Sequence, residues 1–123
     1  MPVVPGGSLD FTALPGRLSA DPIPPDLAVG LSARVVWIGP GVRTPHVHPH
    51  SAELVYVVEG TGTAWEDDVP TRVGPGDLVV IPAGVPHATV ASGPGDLVLV
   101  CFFPHADLAA NIEELTGPER SGA

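Results

Sequence analysis

The sequence contains no lysine, which excludes Schiff-base chemistry on a carbonyl substrate. Its entire basic complement is five arginines against 14 acidic residues, for a formal net charge of −9. No basic stripe exists, so nucleic acid is excluded as a partner and an anionic membrane surface is disfavoured. The single cysteine, Cys101, rules out an intramolecular disulfide framework. The longest uninterrupted apolar run, Leu97 to Phe103, falls far short of the ~20 residues that span a bilayer. The first residues show neither the basic stretch nor the apolar stretch of a signal peptide, and a cytoplasmic location is expected. Charged residues make up only 15% of the chain, below the usual ~25%, while hydrophobic residues reach 44%. That balance argues against a disordered polyelectrolyte.

Proline and glycine are abundant instead, with 16 and 15 copies in 123 residues. Most of them punctuate short apolar runs, as tight turns between short strands require. The runs Ser32–Ile38, Glu53–Glu59, Thr61–Glu66, Thr71–Val73, Leu78–Ile81, His87–Ala91 and Leu97–Phe103 read as strands. Their spacing predicts one antiparallel sandwich or barrel. Residues 1–31 carry six prolines and read as an extended arm with one edge strand near Leu9–Leu14. Leu108, Ile112 and Leu115 fall at helical spacing behind Asp107, which predicts a short C-terminal helix stopped at Gly117-Pro118. The expected organisation is therefore an arm (1–31), a barrel with its helix (32–116) and a tail (117–123).

Three of the five histidines crowd into Pro45-His46-Val47-His48-Pro49-His50. On a strand, residues i and i+2 share a face, so His46 and His48 project together about 7 Å apart. Glu53 opens the next strand after a turn, and its carboxylate can reach the same point. Both faces of the Glu53–Glu59 strand are apolar, so a charge at its start needs a partner, and a metal ion supplies one. A His48/His50 pair with Glu53 is an alternative spacing. His87 stands apart, framed by Pro82-Ala83-Gly84-Val85-Pro86. The inward candidates for a pocket are Val55, Val57 and Thr89, with Leu99, Cys101 and Phe103 from the last strand. Arg34 is expected to be exposed; facing inward, it would clamp a substrate carboxylate.

These residues resemble the cupins. His46-Val47-His48, four residues, Glu53, six residues and Gly60 match the first motif of that family. Gly76, Pro82-Ala83-Gly84 and His87 match the second in register. Two positions depart: the loop from Gly41 to His46 is one residue short, and Ala91 stands where the family has asparagine, which is not a ligand. The resemblance covers roughly Ser32 to Phe103. It implies an all-β double-stranded β-helix, or jelly-roll barrel, and metal ligation by His46, His48, Glu53 and His87. It also implies a homodimer, often formed by exchanging N-terminal strands. Three imidazoles and one carboxylate suit Fe(II), Mn(II) or Ni(II), with Zn(II) possible. The activity expected first is a dioxygenase-type reaction on a small oxygenated organic substrate, with Glu53 as ligand or general base. A non-redox decarboxylase, isomerase or cyclase comes second, and a non-catalytic small-ligand or sugar-binding module third.

Overall fold

The computed structural model describes residues 2–122. Their strands are β1 (Thr12–Leu14), β2 (Arg17–Ala20), β3 (Ser32–Ile38), β4 (Val42–Arg43), β5 (His46–Val47), β6 (Glu53–Glu59) and β7 (Gly62–Glu66), followed by β8 (Val69–Val73), β9 (Leu78–Ile81), β10 (His87–Ala91), β11 (Leu97–Phe103), β12 (Glu113–Glu114) and β13 (Arg120–Ser121). One antiparallel sheet has the order β1-β2-β3-β11-β6-β9, and a second has the order β12-β5-β10-β7-β8. A small ribbon pairs β13 with β4. The inner faces of the two large sheets share one core, which gives an all-β jelly-roll barrel.

Alternation explains how the core forms. In β11, Leu97, Leu99, Cys101 and Phe103 point inward, and its register places Leu99 opposite Val36 of β3 and Val57 of β6. Ile38, Val55, Val57 and Leu97 are almost fully buried. A slip of one residue would expose this whole set, so burial itself fixes the register. Gly60 ends β6 at φ +85, and a Cβ there would collide with the backbone carbonyl of Asp96. Only glycine allows that left-handed turn against the neighbouring loop.

Two expectations change. The segment 108–115 forms no α-helix, and none exists among the described residues. Asp107 does begin a turn, with its Oδ1 accepting from the Ala110 amide at 3.4 Å, and the Asn111 amide donates to Leu108 at 2.9 Å. The chain then leaves helical geometry because Glu113 and Glu114 pair with Val47 and His46. Sheet pairing against a barrel strand outweighs a weak three-residue helical pattern. In the expected arm, a hairpin turning at Pro15-Gly16 replaces the single edge strand, and its second strand extends the large sheet by pairing with β3. No helix among the described residues is long and apolar enough to cross a membrane.

Candidate metal centre

The two sheets bring their donors together from three stretches of chain. Strand β5 places His46 directly opposite His87 of β10, with ring centroids 4.3 Å apart. His48 follows just beyond β5, and Glu53 arrives on β6 from the other sheet. All four are buried, and one donor atom from each lies within 4.8 Å of the others. Phe103 packs against His48 at 4.6 Å between ring centroids and forms part of the apolar wall.

Hydrogen bonds fix the tautomers. His48 Nδ1 lies 2.7 Å from the Asn111 carbonyl oxygen, and His87 Nδ1 lies 2.9 Å from that of Val85. A carbonyl only accepts, so each Nδ1 carries a proton. Both Nε2 atoms face Glu53 Oε1, at 3.1 Å from His48 and 2.9 Å from His87. In neutral rings these are lone pairs aimed at a carboxylate oxygen, which repel unless protons or a cation lie among them. The His48 contact is too poorly aligned for a hydrogen bond, and His46 Nδ1 is buried without a partner. Imidazoles held through one N–H on a backbone carbonyl, with the other nitrogen turned inward, are characteristic of metal-binding histidines. The donor set therefore fits a divalent ion.

The electrostatics agree. Burial pushes the Glu53 carboxyl up, but protons on the close nitrogens of His48 and His87 outweigh it and hold the group well below its ordinary value, and a cation in their place acts in the same direction. Burial, then the neighbouring His87, pushes the His46 imidazole well below 6.5, which keeps it neutral and able to ligate. Burial and the Glu53 charge push the Cys101 thiol up, so it stays protonated.

Beside the four donors opens a cavity of about 280 Å³. Val55, Thr89, Leu99, Cys101 and Phe103 line it, whereas Val57 does not: it lies in the core with no exposed surface. His50 stays outside the cluster, exposed and stacked on His105 at 5.9 Å. Arg34, expected to face solvent, lines the cavity. Three contributors were not foreseen. Arg43 is buried in the cavity wall, yet strict alternation from His46 would turn it away. The break at Thr44-Pro45 between β4 and β5 resets that alternation. Arg17 enters from the N-terminal hairpin. Asn111, fully buried, joins the tail to the histidine loop: its Oδ1 accepts from the His50 amide at 2.7 Å and its Nδ2 donates to Ser51 Oγ at 2.8 Å. No local pattern marks it in the sequence.

Comparison with known proteins agrees with this architecture. The family model of the cupin domain matches residues 34–103. A dimethylsulfoniopropionate lyase, DddQ, of Ruegeria pomeroyi is 41% identical over 61 residues, which cover 48% of this chain and 30% of the lyase. An auxin-binding protein of Prunus persica is 35% identical over 71 residues, or 53% of this chain and 34% of that protein. The chain thus spans about a third of the length of these curated relatives. Among solved structures, KdgF from Halomonas sp. superposes with a TM-score of 0.72 at 26% identity, over 89% of this chain and 98% of that one. With both motifs, the barrel and the clustered donors in place, the chain belongs to the cupin family.

Proposed function

We propose that this cupin is a metal-dependent enzyme that converts a small oxygenated organic substrate without net redox change, by elimination or decarboxylation. The carrying observation is the buried set of three imidazoles and one carboxylate, with the tautomers of His48 and His87 fixed, at the wall of a small, largely apolar cavity. His46, His48, Glu53 and His87 would hold Fe(II), Mn(II) or Ni(II), with Zn(II) also compatible. Such an ion supplies Lewis acidity toward a substrate oxygen. The chain's own residues do the rest. Val55, Leu99 and Phe103 would exclude water, Thr89 would offer a hydroxyl, and Glu53 would act as ligand or general base. The lyase relative supports a non-redox reaction.

The dioxygenase-type reaction is the second reading, favoured by a ligand set that also suits Fe(II). The auxin-binding relative favours a third, ligand binding without turnover. Elemental analysis of protein purified without chelator, beside His48→Ala, is the first test. A near-stoichiometric metal that is lost in the variant supports the centre; no metal in either protein refutes it. Turnover that continues without oxygen supports elimination or decarboxylation, and turnover with stoichiometric oxygen uptake selects the dioxygenase.

The same proposal includes a homodimer built on the outer face of the large sheet. Apart from the exposed Glu59, which pairs with Val98 at the end of β6, the outward positions of β2, β3, β11, β6 and β9 are uncharged. Trp37, Leu54, Tyr56, Leu78, Val80 and Phe102 are each at least 40% exposed there. With Leu18 and Val58 they leave on the order of 800 Å² of side-chain surface, one partner's share of a standard interface. A second copy is the fitting occupant, because the face offers the apolar area that each partner of a stable dimer contributes. Sedimentation at two widely separated concentrations should show a dimer, and Tyr56→Asp should give a folded monomer. A wild-type monomer, or a dimer that survives the substitution, overturns this assignment.

A further inference from the structure

Three of the chain's five arginines, Arg17, Arg34 and Arg43, line the cavity beside the donor cluster. In so acidic a chain this concentrates positive charge at one place. Two of the three already have carboxylate partners. Arg17 Nη2 lies 2.9 Å from Glu114 Oε1, and Arg34 Nη1 lies 3.3 Å from Asp21 Oδ2. Arg43 has none among the described residues. Its Nη1 donates to the Thr89 carbonyl at 3.1 Å, and its Nε is buried with no partner. The residue is only 6% exposed. Burial, then the nearby Arg17, lowers its pKa to about 10, so the guanidinium remains cationic at neutral pH.

Glu114 and Glu53 act on Arg43 only from beyond contact distance, and a buried cation with no carboxylate touching it is costly. Gly16, at φ +71, turns the N-terminal hairpin over the side chain so closely that a Cβ would press on Arg43 Cγ at 2.9 Å. Strand β13 pairs Arg120 with Arg43 and fixes its backbone. Only two residues separate Arg43 from His46, so the charge sits beside the donors. The remaining wall is largely apolar, with Val36, Ile38, Leu108 and Ile112, and this strengthens any ion pair formed inside.

We propose that Arg43 is the anchor for a carboxylate group of the substrate, so that the enzyme's substrates are small carboxylic acids that carry a further oxygen toward His46, His48, Glu53 and His87. A planar guanidinium matches a planar carboxylate through paired hydrogen bonds. This inference rests on the metal-centre reading for the second oxygen but not for the anchor itself.

The test is calorimetric titration of the full chain, metal-free and loaded with Mn(II), against malonate, neutral malonamide and inorganic phosphate. Wild-type protein should bind malonate in both forms and bind malonamide at least tenfold more weakly. Arg43→Gln should retain its Mn(II) and lose roughly ten- to hundredfold in malonate affinity, the range of one charge-assisted contact. Should that variant fail to fold, Arg43→Lys decides, with malonate weakened several-fold. Equal malonate affinity in wild type and variant, equal binding of malonamide, or a preference for phosphate overturns the anchor. Failure to take up Mn(II) with Arg43-dependent malonate binding intact overturns the metal centre and leaves the anchor standing.

Discussion

Replacing Asn111 with alanine removes a side chain that ties the C-terminal segment to the histidine loop. Two hydrogen bonds vanish, from the His50 amide at 2.7 Å and to Ser51 Oγ at 2.8 Å. Each is worth about 1 kcal/mol, and an orphaned amide costs about 1–3 kcal/mol more, so the metal-free protein should lose roughly 3–5 kcal/mol. A domain of this size then melts on the order of 10 °C lower. The same change loosens the backbone carbonyl that holds His48 Nδ1 at 2.7 Å. Outer partners of ligating histidines are typically worth 10–100-fold in metal affinity. Urea unfolding gives the first number, and competition for Mn(II) with a chelating dye gives the second. The control is Leu97→Ala, which opens a hole in the core away from the cavity lining and should cost about 2–5 kcal/mol. It should leave metal affinity within about twofold. If Asn111→Ala costs less than about 1 kcal/mol, or both variants lose metal equally, the tether does not orient His48 and the reasoning fails.

Other outcomes follow from the same geometry. Glu53→Gln should abolish metal copurification, because it removes the only anionic donor among three neutral ones; an unchanged metal-to-protein ratio would contradict this. The metal-free protein should lose stability in acid. His46 is held well below 6.5, so the unfolded chain takes up a proton near that pH while the folded one does not. The depressed Glu53 carboxyl adds a loss of the same sign, beginning below its ordinary 4.5. Each group contributes at most about 1.4 kcal/mol per pH unit, and a urea midpoint that stays flat from neutrality to about pH 5 would refute the assignment. Cys101, buried and with its thiol pushed up, should resist a disulfide reagent in the folded protein and react at once in urea; rapid native labelling would place it differently.

The strands were legible because their physics is local. Ser32–Ile38, Glu53–Glu59 and Leu97–Phe103 carry dense apolar runs closed by glycine and proline, and the sheets place strands on those same bounds. Parity likewise placed Leu99, Cys101 and Phe103 on one face. What escaped depends on contacts that alternation does not encode. Leu108, Ile112 and Leu115 share a helical spacing, but Leu108 and Ile112 spend their apolar surface on the cavity while Asn111 between them is fully buried. Arg43 was hidden by a break in the strand just after it. Val57 obeys the inward parity of its strand and still misses the cavity, because it lies deeper in the core than Val55. Pro15-Gly16 is a turn signal in plain view, yet its importance lies in what the hairpin reaches across the fold.

The donors of this cavity and much of its remaining wall come from different parts of the chain. Strands β5, β6 and β10 and the residue just beyond β5 supply the four donors, whereas Leu14, Arg17 and Ser19 from one flanking stretch and Leu108, Ala109 and Ile112 from the other line the rest of the cavity. Selectivity can therefore change through the N-terminal hairpin without altering the donors. Exchanging the N-terminal hairpin would re-aim the scaffold at new molecules, whereas exchanging the C-terminal stretch would also disturb the donors, because Asn111 holds His48 and Glu114 pairs with His46.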